Sequence, residues 1–168
     1  MHIPDQQLRD QRMVFYSRDV TRLDGELDSF LELSGAKCAL LIDREGHLVT
    51  RRGETPTESM EGLSALVAGS FAATKEMAGL LGEREFSALF HQGTHHSIQI
   101  TLVGGRTLMA TLWDDRTNLG LVRFYAAETS RRLEEIFQEM TNRPASADDD
   151  QLSGDYGAEA SAALDDLF

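Results

Sequence analysis

The stretch "SIQITLVGGRTLMATLW", residues 97–113, leaves this chain few choices. Extended, it points Ile98, Ile100 and Leu102 one way and Gln99 and Thr101 the other. A period of two marks a strand. Gly104-Gly105 then supplies the backbone freedom of a two-residue hairpin turn, and "TLMATLWD" (107–114) returns as the pairing strand. An antiparallel sheet is therefore expected.

Two further segments extend it. "CALLID" (38–43) turns at "REG" into "HLVT" (47–50), a second hairpin with Gly46 at its turn. "EFSALFHQ" (85–92) has strand character, and "RRGETPTE" reads as a loop. Three helical patterns surround these strands. Val14, Phe15, Val20, Leu23, Leu27, Phe30 and Leu31 define the first, over about 13–33, and Gly35 suits its C-terminal cap. The second runs over about 59–81, with Thr57 or Ser59 to cap it and Gly82 to stop it. Thr117 or Asn118 caps the third, which carries Leu119, Val122, Tyr125, Ala126, Thr129, Leu133, Ile136 and Phe137. The order α-ββ-α-βββ-α is that of an α+β domain over 13–141, after a polar, flexible start at 1–12.

The middle helix is unusual. Leu63, Val67, Phe71, Thr74, Met77 and Leu81 form one stripe, read as core against the sheet. The other side carries Ala65, Ala68, Gly69, Ala72, Lys75, Glu76 and Gly79. Glycine inside a helix costs about 1 kcal/mol relative to alanine. Close approach of a second backbone would justify that cost, so this side is read as an interface rather than as an alanine-rich solvated face.

Charge narrows the partners. The 168 residues carry a net charge of −12. One arginine against seven acids places half of it in residues 142–168. Such a chain is poorly suited to nucleic acid or to an anionic membrane surface. No apolar run approaches the roughly 18 residues of a membrane span, and the polar opening is not expected to be a secretory signal. Cys38 is the sole cysteine, which fits a reducing cytosol.

Chemistry-bearing groups are scattered. His95 and His96 are adjacent, so their side chains diverge, and with His91 they are read as incidental. "VGGRT" lacks the Lys-Ser/Thr ending of a phosphate loop and lies between strands. Arg84, Arg106 and Arg116 are read as surface arginines, Arg84 being a possible interface contact. Asp114-Asp115 and Asp148–Asp150 are read as solvated charge. No catalytic constellation emerges, and the sequence assigns no metal or cofactor.

Residues 142–157 are acidic and almost free of large apolar side chains, and are expected to be a disordered linker. Residues 158–168, "AEASAALDDLF", end differently: Leu164, Leu167 and Phe168 form an apolar patch at helical spacing. Eleven residues make a marginal helix in isolation, so this segment is expected to order only against another surface.

The element order, "LLIDREGHLV", "LVAGSFAATKEMAGLLG", "RTNLGLVR" and the acidic linker ending in "ALDDLF" together resemble the roadblock (dynein light chain) family, and within it the MglB-like branch. The resemblance covers about 14–140 and implies a five-stranded antiparallel sheet sandwiched by helices. It implies a homodimer with the middle helices side by side. It implies binding, two-to-one, to a Ras-like small GTPase of the MglA type in its GTP-bound form. Hydrolysis would be stimulated without an arginine finger, the catalytic groups belonging to the partner. Leu164, Leu167 and Phe168 would make a separate GTPase contact that tunes nucleotide exchange. A cytoplasmic protein concentrated at a cell pole, active in polarity or motility, is the implied setting. The rivals are a roadblock scaffold that binds without accelerating anything, and a small-molecule sensor or enzyme.

Overall fold

The computed structural model describes residues 15–143. Its elements are α1 (Ser17–Ser34), β1 (Cys38–Asp43), β2 (Leu48–Gly53), α2 (Met60–Leu80), β3 (Ala88–Gln92), β4 (Ser97–Val103), β5 (Thr107–Trp113) and α3 (Leu119–Asn142). The strands form one antiparallel sheet in the order β2-β1-β5-β4-β3. Pairing of β1 with β5 joins the two hairpins, with Leu40 and Ile100 both opposite Ala110. Gly104 and Gly105, at φ 61° and 73°, form the expected tight turn.

Helices cover both faces. Leu23, Leu27 and Phe30 of α1 and Val122, Ala126, Leu133, Ile136 and Phe137 of α3 pack against Ala39, Leu41, Met109 and Trp113. On the other face α2 sets Met60, Val67, Ala68 and Phe71 against Leu40, Ile42, Ile100, Leu108, Ala110 and Leu112. β1 and β5 are thus apolar on both sides, which explains "CALLI" as an uninterrupted run. The face carrying Gln99 lies under α1 and α3 rather than in solvent, and Gln99 sits buried opposite Thr111. Among the described residues no helix is long and apolar enough to cross a membrane.

Several boundaries differ from expectation. α1 starts at Ser17, not near residue 13. Phe15 lies ahead of it and meets Phe137 edge-on at 6.3 Å, so its apolar spacing serves packing rather than a helical turn. Gly35 closes α1 at φ 73°, its N–H donating to the Leu31 carbonyl at 3.0 Å, as its position suggested. β2 runs on through Arg51 and Arg52, which the sequence assigned to a loop. Two acids of α1 explain the extension. Arg52 donates two bonds to Asp28, both 2.8 Å, and Thr50 donates to Asp24 at 2.5 Å. An edge strand facing an acidic helix flank tolerates such residues. Asn118 caps α3, accepting the Leu121 N–H at 3.0 Å.

Cys38 is buried, and that burial pushes its thiol up to about 11. Near pH 8 the reactive thiolate is a minute fraction, behind a closed surface. A colorimetric disulfide reagent is expected to label the native protein at least tenfold more slowly than the protein unfolded in guanidinium. Equal rates would contradict this burial.

Candidate interaction surface

The first half of α2 belongs to the core. Met60, Ser64, Val67, Ala68 and Phe71 are buried, and the Phe71 ring meets Phe86 at 5.0 Å. Beyond Phe71 no residue of α2 is buried. The helix continues past its support with its large side chains outward: Met77 is 55% exposed, Leu80 88%, Leu81 just past the helix end 83%, and Leu66, five residues before Phe71, 71%. With the first half of the helix already buried against the sheet, this exposure leaves an apolar surface open on α2.

This arrangement corrects the sequence reading of two core residues. Met77 and Leu81 lie at the spacing of Val67 and Phe71, but among the described residues neither joins the core beneath α2. Of the residues read as interface, Ala65, Gly69, Ala72, Lys75, Glu76 and Gly79 are exposed, whereas Ala68 is 9% exposed and turned into the sheet-side core. The turn between β1 and β2 explains why residue 68 is small. A side chain on Gly46 (φ 94°) would meet the Ala65 Cα at 3.1 Å and the Ala68 Cβ at 3.5 Å. Ala65 and Ala68 are therefore small for contact within the chain. Gly69 and Gly79 are different: a Cβ on either would meet nothing within 4 Å. No contact among the described residues explains them. The sequence reading missed Leu66, Ala73 and Leu80, although α2 is apolar around most of its circumference.

The remaining candidates are dispersed. His91 lies on β3 and His95 and His96 in the following turn, all exposed. A group with cation-binding geometry lies elsewhere and was not singled out from sequence. Asp43, Glu45 and His47 hold their ligand atoms within 4.8 Å of one another. Asp43 has a local task there, accepting the N–H groups of Glu45 and His47 at 3.0 and 2.8 Å. Asp114 is not the solvated charge expected. It is half-buried, with Arg116 at 3.1 Å and Lys37 at 3.2 Å, and the Arg116 hydrogen bonds hold its carboxyl well below the usual carboxylate range. Arg116 is thus ion-paired within the chain, and like Arg84 and Arg106 it is exposed. Leu164, Leu167 and Phe168 lie outside the described residues.

A sheet covered on one face by a single helix with an outward apolar band, and on the other by an antiparallel helix pair, is the α+β architecture these elements build. The chain belongs to the Roadblock/LC7 domain family, whose model it matches over residues 23–112. More narrowly, it is similar to Myxococcus xanthus MglB, at 35% identity and TM-score 0.68, covering 71% of this chain and 97% of that one. It is also similar to the gliding protein MglB from Thermus thermophilus, at 32% identity and TM-score 0.71, covering 76% and 96% of the two chains. A further MglB structure, described as having a tetrameric arrangement, is 30% identical with TM-score 0.72 and the same two coverages, 76% and 96%. No curated protein sequence matches the chain.

Proposed function

We propose that this protein is a homodimeric regulator that binds a Ras-like small GTPase of the MglA type in its GTP-bound form and stimulates hydrolysis. The observation that carries the reading is the outer band of α2. Gly69, Ala72, Ala73, Met77, Gly79 and Leu80 present small and apolar groups on a helix whose core face is already satisfied. Its small residues admit a neighbouring backbone, and Met77 and Leu80 supply apolar area that a partner would bury. Similarity to MglB proteins supports the choice of partner class.

The chemistry would belong to the GTPase. Phosphoryl transfer depends mainly on positioning and electrostatic stabilisation, so a rigid surface that holds the partner's switch loops in place accelerates it without donating a reacting group. Arg116 is occupied by Asp114 and Glu54 and is unsuited to act as a finger. Arg84 and Arg106 serve as the controls.

Single-turnover GTP hydrolysis by the cognate GTPase is expected to accelerate with added protein and to saturate at two protomers per GTPase. Arg84→Ala and Arg106→Ala should retain that acceleration. Unchanged hydrolysis at saturating protein would overturn the activating role. If a two-to-one complex still formed, the scaffold reading would replace it.

A further inference from the structure

Across the sheet from α2 lies a second, smaller apolar patch. α1 and α3 run antiparallel, fixed by Arg22–Glu139 at 2.6 Å near one end and by the Thr117 hydroxyl donating to the Ser34 carbonyl at 2.6 Å near the other. Most of their outer surface is charged, with Arg22, Glu26, Arg131, Arg132, Glu135 and Glu139 lining an open groove between them. The Thr117 end differs. There Leu33, Leu121 and Phe124 are exposed, and Tyr125 meets the Phe124 ring edge-on at 5.1 Å. The interface reading above uses α2 and leaves this patch unassigned.

We propose that residues 158–168 of the same chain dock on Leu33, Leu121 and Phe124 through Leu164, Leu167 and Phe168. Size is the first argument. A lasting contact between separate proteins needs about 800 Å² per partner, more than three side chains offer, whereas a short amphipathic segment needs little more than one helical face. Tethering is the second. A covalently attached segment is present at an effective concentration in the millimolar range, enough to populate a weak contact. Reach is the third. The path back along α3 from Asn142 to Leu121 is about 32 Å at 1.5 Å per residue. Any chain of 20 residues, the number from 144 to 163, reaches about 22–27 Å root-mean-square by coil statistics and more than 60 Å at full extension. Arg143 fixes the starting point, because its guanidinium is held on Asp19 at 2.8 Å and 3.1 Å. Glu32, Glu128 and the exposed Arg123 lie on the elements that carry the patch and Asp165 and Asp166 in the segment, so the charges there give no net pull on the segment; the attraction rests on apolar contact and should persist in high salt.

A segment held this way is unavailable to a partner until released. That consequence rests on the GTPase reading above; the docking itself does not.

Buried Cys38 makes the test selective, since an added exposed cysteine takes a label in its place. Ser161→Cys carrying a nitroxide, in the otherwise complete protein, should erase the methyl signals of Leu33 and Leu121, and reduction of the nitroxide should restore them. Phe124→Ser should abolish the effect, and 1 M NaCl should not. Erasure of the Leu66, Met77 or Leu80 signals instead, or no localised erasure, would overturn the proposal. So would erasure seen only when spin-labelled, unenriched protein is mixed with enriched, unlabelled protein, because the segment would then dock on another copy. None of these readouts uses a GTPase, so they stand or fall apart from the proposed function.

Discussion

Met77→Asp combined with Leu80→Asp is expected to yield a folded protein that no longer self-associates or binds the GTPase. Both side chains are exposed in the single chain, so their replacement leaves the core cluster around Phe71 intact. In an assembly they would lie at the centre of the contact, where a buried carboxylate is unpaired. Loss of one central contact residue commonly costs 2 kcal/mol or more, so dissociation should strengthen at least about 30-fold. Mass in solution across a dilution series reads this directly, with circular dichroism checking the fold. An unchanged dimer mass would show that α2 beyond Phe71 is not the contact. Gly69→Ala gives a sharper sign. Among the described residues the added methyl meets nothing, so the helix gains up to about 1 kcal/mol. If a neighbouring backbone packs on Gly69, the same methyl weakens association. Ala72→Arg, on the same exposed side, should block docking by bulk and charge.

The two hairpins and the three helices were legible because each depends on local signals. Alternation in "SIQITLV", paired glycines at 104 and 105, Asn118 before Leu119 and Gly35 after Ser34 all act within a few residues of themselves. What was not legible depended on distant contacts. Nothing local says that Arg51 and Arg52 extend a strand, since the acids that receive Arg52 and Thr50 lie in α1. Small residues on α2 posed the same difficulty more sharply. Ala68 and Gly69 are neighbours of similar size, yet one is small because the Gly46 turn crosses it and the other faces open space. Helical spacing likewise cannot reveal that the sheet stops supporting α2 after Phe71, so it assigns Met77 and Leu81 to the core. Asp19 was invisible for a related reason. A carboxylate in the first turn of a helix reads as a favourable charge near a helix dipole, and its partner, Arg143, lies 124 positions later, in a segment read as linker.

Asp19→Ala is expected to destabilise the domain by about 3 kcal/mol, within the range for breaking a buried ion pair, and to lower Tm by about 10 °C. Asp19 is fully buried, accepts the Tyr16 N–H at 3.2 Å, and receives two bonds from Arg143, whose guanidinium also lies 5.4 Å from the centre of the Tyr16 ring. The pair fastens the start of α1 to the end of α3. Burial alone would raise the carboxyl's pKa, but the Arg143 hydrogen bonds and the Tyr16 N–H outweigh it and hold it below its ordinary value. A lowered carboxylate pKa contributes stability that is complete above the unfolded value near 3.9 and is lost as pH falls through the folded one. The parent should therefore lose stability below about pH 4, and Asp19→Asn should flatten that part of the profile. Arg143→Ala should reverse its sign. Without the guanidinium, burial dominates, the Asp19 pKa rises above the unfolded value, and stability falls as pH increases through that window. Denaturant midpoints from pH 2.5 to 7 distinguish the three proteins. An Arg143→Ala profile parallel to the parent's would show that Asp19 is held by something other than this pair.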